Sequence, residues 1–295
     1  MKNTIFTGAG VAIITPMLQD GSVDFEGLKT LIDFQVDNGT DAIIICGTTG
    51  ESSTLSDEEH RDCIRCAVEH THNRIPVIAG TGSNDTKYAI ELSREAQELG
   101  ADGLLLVTPY YNKCTQRGLI AHYTAIADSV DIPIILYNVP SRTGVAIDVA
   151  TVKALGQHKN IVAVKEASGN IGYTAKLAAQ CGDLVDIYSG NDDMIVPIMS
   201  LGGKGVISVL SNVMPKETHQ MTQYCLENNF AAAAKLQLEY LNLINKLFIE
   251  VNPIPVKDAL NQMGMPSGPC RMPLYEMSDE HKAALHDALA AHGLV

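Results

Sequence analysis

Lys165 closes the apolar run Ile161-Val162-Ala163-Val164 in the stretch NIVAVKEASG, Asn160 to Gly169. Lysine is seldom buried, and at a strand end it ordinarily carries its amine into water along its methylene stem. Held in a cleft in its neutral form, the same amine can instead attack a carbonyl carbon and form a Schiff base. Other chemically capable side chains stand at comparable places. Thr48-Thr49-Gly50-Glu51, Thr81, Thr108-Pro109-Tyr110-Tyr111, Tyr137-Asn138 and Ser189-Gly190-Asn191 all sit at or just after the end of a short apolar run. Which of these groups meet depends on the fold.

Eight such runs recur, at Val11–Thr15, Ala42–Cys46, Ile75–Ala79, Gly103–Val107, Ile132–Tyr137, Ile161–Lys165, Val185–Tyr188 and Gly205–Val209. Each is short enough for a buried parallel strand, and most gaps accommodate a crossover helix. The entries repeat as well. DNGTDAIII and ELGADGLLL share Gly, any residue and Asp before the strand, with Gly39 and Gly100 placed to stop a helix, while NRIPVIAG and VDIPIILY open on Ile-Pro. Strand plus helix, repeated eight times, predicts an α/β fold, a (β/α)8 TIM barrel. An open doubly wound sheet is the competing architecture, but no GxGxxG follows the first strand. Ser56-Asp57-Glu58-Glu59 reads as a capping box opening a helix through Glu69. After the eighth strand, Pro215–Asn228 completes the barrel; Ala231–Glu250, Pro255–Gly264 and a segment capped by Ser278 form a C-terminal helical extension. The expected division is residues 1–228 as barrel and 229–295 as helical region packed on it.

In such a barrel the active site lies at the C-terminal ends of the strands, which gathers the polar groups above at one rim. Alternation puts Ile161, Ala163 and Lys165 on one face and Val162, Val164 and Glu166 on the other. Glu166 is therefore not expected to neutralise Lys165. Desolvation disfavours the ammonium form of a lysine without its own carboxylate, and the neutral form is the nucleophile.

Composition narrows the remaining choices. The chain has 295 residues, 46% of them hydrophobic, enough to bury a large core. Its formal charge of -13 arises from 34 acids against 21 basic residues without a run of one sign, which argues against nucleic acid as a partner. Seven scattered cysteines point to reduced thiols in a cytoplasm, and Cys63-Ile64-Arg65-Cys66 falls inside a predicted helix without a second pair. The first residues carry one Lys and an apolar run broken by Gly10 and Pro16, too short for a signal peptide or membrane span. His70-Thr71-His72 precedes the third strand, at the end of the barrel away from the site, and no HExxH or paired CxxC supports zinc; no metal or cofactor is expected. Gly202-Gly203-Lys204 precedes the eighth strand rather than following it, so it reads as a turn and not a phosphate loop. Ser52 and Ser53 have no visible His/Asp arrangement for a serine hydrolase.

The segments GTTGESSTL, TPYYNK, YNVPSRTG and VAVKEASGN, in this order and spacing, resemble the 4-hydroxy-tetrahydrodipicolinate synthase (dihydrodipicolinate synthase) family, from about Gly8 to Asn252–Pro255. That family sits among the pyruvate-dependent class I aldolases and lyases, which include N-acetylneuraminate lyase. Thr48-Thr49, Tyr110-Tyr111-Asn112-Lys113 and Arg142 are the narrower features. The resemblance implies that Lys165 forms an imine with pyruvate and that the derived enamine attacks L-aspartate 4-semialdehyde, the first committed step of diaminopimelate and lysine biosynthesis. It implies a proton relay of Tyr137, Thr48 and Tyr111, with Tyr111 reaching into a neighbour's site within a dimer, usually half of a homotetramer. Thr49 would bind the pyruvate carboxylate, Arg142 the semialdehyde carboxylate, and Gly190 and Ile207 would flank pyruvate. Ser52, Ser53, Asp57, His60, Asn84, Tyr88 and Tyr110 align with a regulatory L-lysine site, where Asp57 replaces a usual histidine and Tyr88 a usual glutamate. Weak or absent feedback is expected. A different pyruvate lyase, acting on N-acetylneuraminate or a 2-keto-3-deoxy sugar acid, is the alternative enzyme; a non-catalytic binding barrel would be expected to lack one of the key side chains.

Overall fold

The apolar runs pair each with the next, and the last with the first, into a closed barrel of eight parallel strands. The structure is a computed structural model and describes residues 4–295. The strands are β1 (Gly8–Ala12), β2 (Ala42–Ile45), β3 (Val77–Gly80), β4 (Gly103–Val107), β5 (Ile134–Asn138), β6 (Ile161–Glu166), β7 (Asp186–Ser189) and β8 (Gly205–Ser208). One hydrophobic cluster fills the barrel, including Ala42, Ile44, Ile78, Leu105, Ile135, Ala163, Tyr188 and Ile207; a second packs the outer strand faces against the helices. Among the described residues no helix is long and apolar enough to cross a membrane.

Several boundaries differ from the expected ones for identifiable reasons. β1 lies earlier than Val11–Thr15, because Gly8 and Gly10, which sequence patterns treat as breakers, are required by close packing. A Cβ on Gly8 would stand 2.1 Å from Asp41 Oδ2, and one on Gly10 2.6 Å from Ile44 Cδ1. β3 and β5 begin after Pro76 and Pro133, which have no amide hydrogen for the ladder and contribute only carbonyls, to Ile43 N at 2.9 Å and Leu104 N at 2.9 Å. In β6 the predicted alternation fails at its start. The register shifts between Ile134↔Ile161 and Ile135↔Ala163, so Ile161 packs in the outer cluster and Val162 in the inner one. From Ala163 onward the alternation holds.

The helix signals perform as read. Ser56 accepts from Glu59 N at 3.2 Å and Glu59 Oε2 accepts from Ser56 N at 2.9 Å, capping Asp57–Thr71. Gly39 and Gly100 take φ of +84° and +92° just past their helices. The expected helix Ala231–Glu250 is instead two, Phe230–Glu239 and Leu241–Lys246, with the break at Tyr240. Helices Ile254–Gln262 and Asp279–Ala290 follow, and their apolar faces join the outer cluster.

A buried ion pair ties this C-terminal region to the loop after β2. Lys257 Nζ donates to Glu51 Oε1 at 2.7 Å, to Pro269 O at 2.6 Å and to Thr15 O at 3.2 Å. The other Glu51 oxygen accepts from Arg271 N at 2.8 Å. The Arg271 guanidinium in turn grips Glu59, holding its carboxyl down at about 2. Glu51 itself has φ +53°, so the loop carrying Thr48 and Thr49 turns on a left-handed residue fixed by its own side chain. Lys257→Met should cost about 3–5 kcal/mol, since the Glu51 charge loses its partner while remaining buried. Adding Glu51→Gln should restore part of the loss in urea unfolding. A single-variant loss below about 1 kcal/mol would show that the pair does not hold the loop.

Candidate active site

β5 and β6 place Tyr137 opposite Lys165 and Asn138 opposite Glu166. The inward pair faces the barrel mouth. Lys165 is 6% exposed, and its Nζ stands 4.3 Å from the centroid of the Tyr137 ring, a cation–π distance. The outward pair locks the strands together: Asn138 Nδ2 donates to Glu166 Oε2 at 2.7 Å, and Ser168 N donates to Glu166 Oε1 at 2.8 Å. Burial pushes the Glu166 carboxyl up, and the bonds from Ser168 and Asn138 oppose that shift. As expected, Glu166 does not neutralise Lys165; its oxygens are used on the other face.

A cavity of about 300 Å³ is lined by Lys165, Tyr137, Thr49, Arg142, Gly190 and Asp192, among others. Thr49 Oγ1 accepts from Asn252 Nδ2 at 3.0 Å, and Arg142 Nη2 donates to Asn252 O at 2.9 Å. Asn252 thus links the two residues predicted to bind carboxylates. The sequence reading passed over it, although it lies inside the resembling region; only folding brings it 203 positions back to Thr49. Gly190 approaches Lys165 so closely that a Cβ there would lie 3.1 Å from Lys165 Cε and 2.6 Å from Ala167 Cβ. Its amide donates to Glu166 O at 2.7 Å. Thr48 and Tyr137 together line a small adjoining cavity of about 40 Å³.

Of the predicted residues, Thr48 lines the adjoining cavities but not that of Lys165, and two others line none of them. Ile207 is fully buried in the inner barrel cluster and does not line the wall. Tyr111 is 93% exposed, with φ +69°, and does not meet Thr48 or Tyr137 within one chain.

Five of the seven residues aligned with the regulatory site, Ser52, Ser53, His60, Tyr88 and Tyr110, line a neighbouring cavity of about 390 Å³ that shares Arg142 with the first; Asp57 and Asn84 do not line it. Asp57 and Tyr88, the two departures from the expected pattern, form one pair: the Tyr88 hydroxyl donates to Asp57 Oδ1 at 2.7 Å. Burial, then this bond, pushes the Tyr88 phenol up to about 12. His60 Nε2 meets Gly80 O at 2.9 Å, and burial lowers the imidazole below its ordinary range. Asn84 braces the wall by donating to Tyr110 O at 3.0 Å.

The motifs set aside are accounted for. His70 Nε2 pairs with Asp33 at 2.8 Å, and His72 ends its helix in the left-handed conformation. Cys63 and Cys66 are free thiols within that helix.

Residues 5–292 match the family model described as the dihydrodipicolinate synthetase family. The chain belongs to this family. It is 61% identical over 292 residues to a 4-hydroxy-tetrahydrodipicolinate synthase of Lachnoclostridium phytofermentans, covering 99% of each chain. Among solved structures, the dihydrodipicolinate synthase of Aquifex aeolicus superimposes with a TM-score of 0.96 at 49% identity, over 98% of this chain and 99% of that one. The chloride-inhibited enzyme of Acinetobacter baumannii, solved with pyruvate, gives a TM-score of 0.97 at 44% identity, over 99% and 100%. The family's members are lyases of one barrel architecture, and this chain has that barrel.

Proposed function

We infer that the protein condenses pyruvate with L-aspartate 4-semialdehyde to give 4-hydroxy-tetrahydrodipicolinate, opening diaminopimelate and lysine biosynthesis. The observation that carries this reading is a buried Lys165 amine over the Tyr137 ring, in a cavity that also holds Thr49 and Arg142. The Lys165 nitrogen adds to the ketone carbon of pyruvate, and the carbinolamine hydroxyl takes up a proton and leaves as water, giving an iminium. A methyl proton departs, and its C–H pair becomes the enamine double bond. The enamine carbon bonds to the aldehyde carbon of the second substrate, whose oxygen takes a proton. Finally the amine of that substrate attacks the imine carbon, closing the ring and releasing Lys165.

Tyr137 is the proton carrier nearest the nitrogen, with Thr48 beside it. Thr49 binds the pyruvate carboxylate, with Gly190 close behind. Arg142 takes the semialdehyde carboxylate, a contact that suits its planar fork. Borohydride added with pyruvate should leave a lactyl-sized mass on the peptide containing Lys165, and Lys165→Ala should lose both the adduct and turnover. A mass mapping to Lys153 or Lys204, or turnover with sugar aldehydes in place of the semialdehyde, would overturn the assignment.

Tyr111 completes the relay from a second copy, so the active unit is at least a dimer, with a homotetramer of two such dimers as the full assembly. Its exposure in the single chain supports this reading. Mixed Tyr111→Phe and Lys165→Ala chains, each inactive alone, should regain activity through sites with both groups intact. No recovery despite proven subunit exchange would place Tyr111 in its own chain's site. The free thiols support a cytoplasmic location.

L-Lysine is a weak effector or none. The one carboxylate among the aligned residues, Asp57, already accepts from Tyr88. Losing a charge-assisted contact weakens binding by roughly tenfold to a hundredfold. The turnover assay should therefore resist submillimolar L-lysine. Half-inhibition in that range, abolished by Asp57→Ala, would show that the aspartate serves as the replacement acid.

A further inference from the structure

Asp192 follows β7 and lines the same cavity as Lys165, Tyr137 and Arg142. It is 2% exposed. Its Oδ2 accepts from Val209 N at 3.0 Å and Leu210 N at 2.9 Å, pinning the chain as it leaves β8. Gln237 Nε2 holds the Asp192 backbone through its carbonyl at 2.7 Å. The other carboxylate oxygen, Oδ1, is buried and has no hydrogen-bond partner among the described residues.

An uncharged asparagine could cap the same turn, because one amide oxygen accepts two backbone amides. What the aspartate adds is negative charge, and a buried carboxylate with a bare oxygen is costly unless a cation compensates it. Four other titratable groups line this cavity: Lys165 from β6, Tyr137 from β5, Arg142 from the loop after β5, and the neighbouring Asp193, which is exposed. The helix Leu241–Lys246 contributes only uncharged Ile244 and Asn245. Arg142 is already directed to Asn252 O. Lys165 is therefore the cation for which the anion remains. In agreement, burial pushes the Asp192 carboxyl up, while the nearby Ser208 hydroxyl, the bonds from Leu210 and Val209 and then the positive charge of Lys165 draw it down.

We propose that Asp192 is a positioning residue for the Lys165 nitrogen, its bare carboxylate oxygen supplying the counter-charge for that nitrogen as ammonium and again as iminium. The proposal rests on the Schiff-base reading above. Asp192 touches no substrate; it acts through Lys165. Condensation of the neutral amine with the ketone group takes up one proton as water leaves, and the resulting iminium is a cation in a cavity of low dielectric, where a fixed anion stabilises the charge more than water would.

Asp192→Asn keeps an acceptor for the two amides and removes the charge. The readout is borohydride capture of the pyruvate adduct on Lys165 as a function of pH. Without the counter-charge the ammonium gives up its proton more readily, so the acid limb should move to lower pH by about half a unit or more. Turnover should fall about tenfold, as the iminium loses the same support. A folded variant with an unmoved acid limb would reduce Asp192 to a turn cap.

A second measurement does not depend on that variant folding. In chains labelled with 13C at aspartate, Lys165→Met should raise the pH at which the Asp192 carboxyl titrates, because the coupling is reciprocal. Identical titration in wild type and Lys165→Met would overturn the proposal. Failure of wild type to form any adduct on Lys165 would instead overturn the Schiff-base reading on which the proposal rests.

Discussion

A closed parallel barrel satisfies its backbone hydrogen bonds only while neighbouring strands keep register, and the register of β5 with β6 fixes how an amine meets a phenol. Had β6 slipped by one residue, Lys165 would face the helices and Glu166 the mouth. The irregularity at Ile161 and Val162 absorbs the mismatch at the bottom of the barrel, away from the chemistry. Above it, Asn138 and Glu166 bond across the outer face while Tyr137 and Lys165 oppose each other on the inner one. The active geometry is thus a consequence of the same ladder that closes the fold.

Buried charge follows a second rule in this protein. Lys257, Glu51 and Glu166 are fully embedded, and each is surrounded by hydrogen-bonding partners. Such pairs contribute little net stability against an apolar replacement, but breaking one is expensive, so they hold loops in a single arrangement. Glu51 and Lys257 fasten the Thr48-Thr49 turn to the C-terminal helices, and Asn252 carries the fastening on to Arg142. The groups on the cavity wall differ. Lys165 rests on the face of an aromatic ring, and Asp192 retains one oxygen without a partner. Among the described residues, the one buried carboxylate oxygen left without a partner is on the wall of the Lys165 cavity.

The two neighbouring cavities share Arg142 and Val139, so their walls are mechanically continuous. Asp57 and Tyr88 illustrate how paired substitutions are read in space. Along the chain they are 31 residues apart, and their departures from the family pattern look independent. In the fold the phenol donates to the carboxylate, and the two changes become one local exchange of hydrogen-bonding groups.

The sequence alone determined the barrel and the rim on which Lys165 stands. Eight short apolar runs between amphipathic stretches can be buried in few other ways, and the capping box at Ser56 and the glycines at positions 39 and 100 are local signals that tertiary packing had no reason to override. Strand starts were less legible. Gly8 and Gly10 belong to β1 because Asp41 and Ile44 leave no room for a Cβ, a condition set by the neighbouring strand and its approach. The face of Ile161 was misread because a bulge depends on the partner strand as well as on the residue. Only the tertiary structure decided the roles of Asn252, Lys257 and Asp192. Their partners lie far away in the chain, and a side-chain hydrogen bond over such a separation leaves no periodicity to read: whether a buried polar group is satisfied is a property of the space around it.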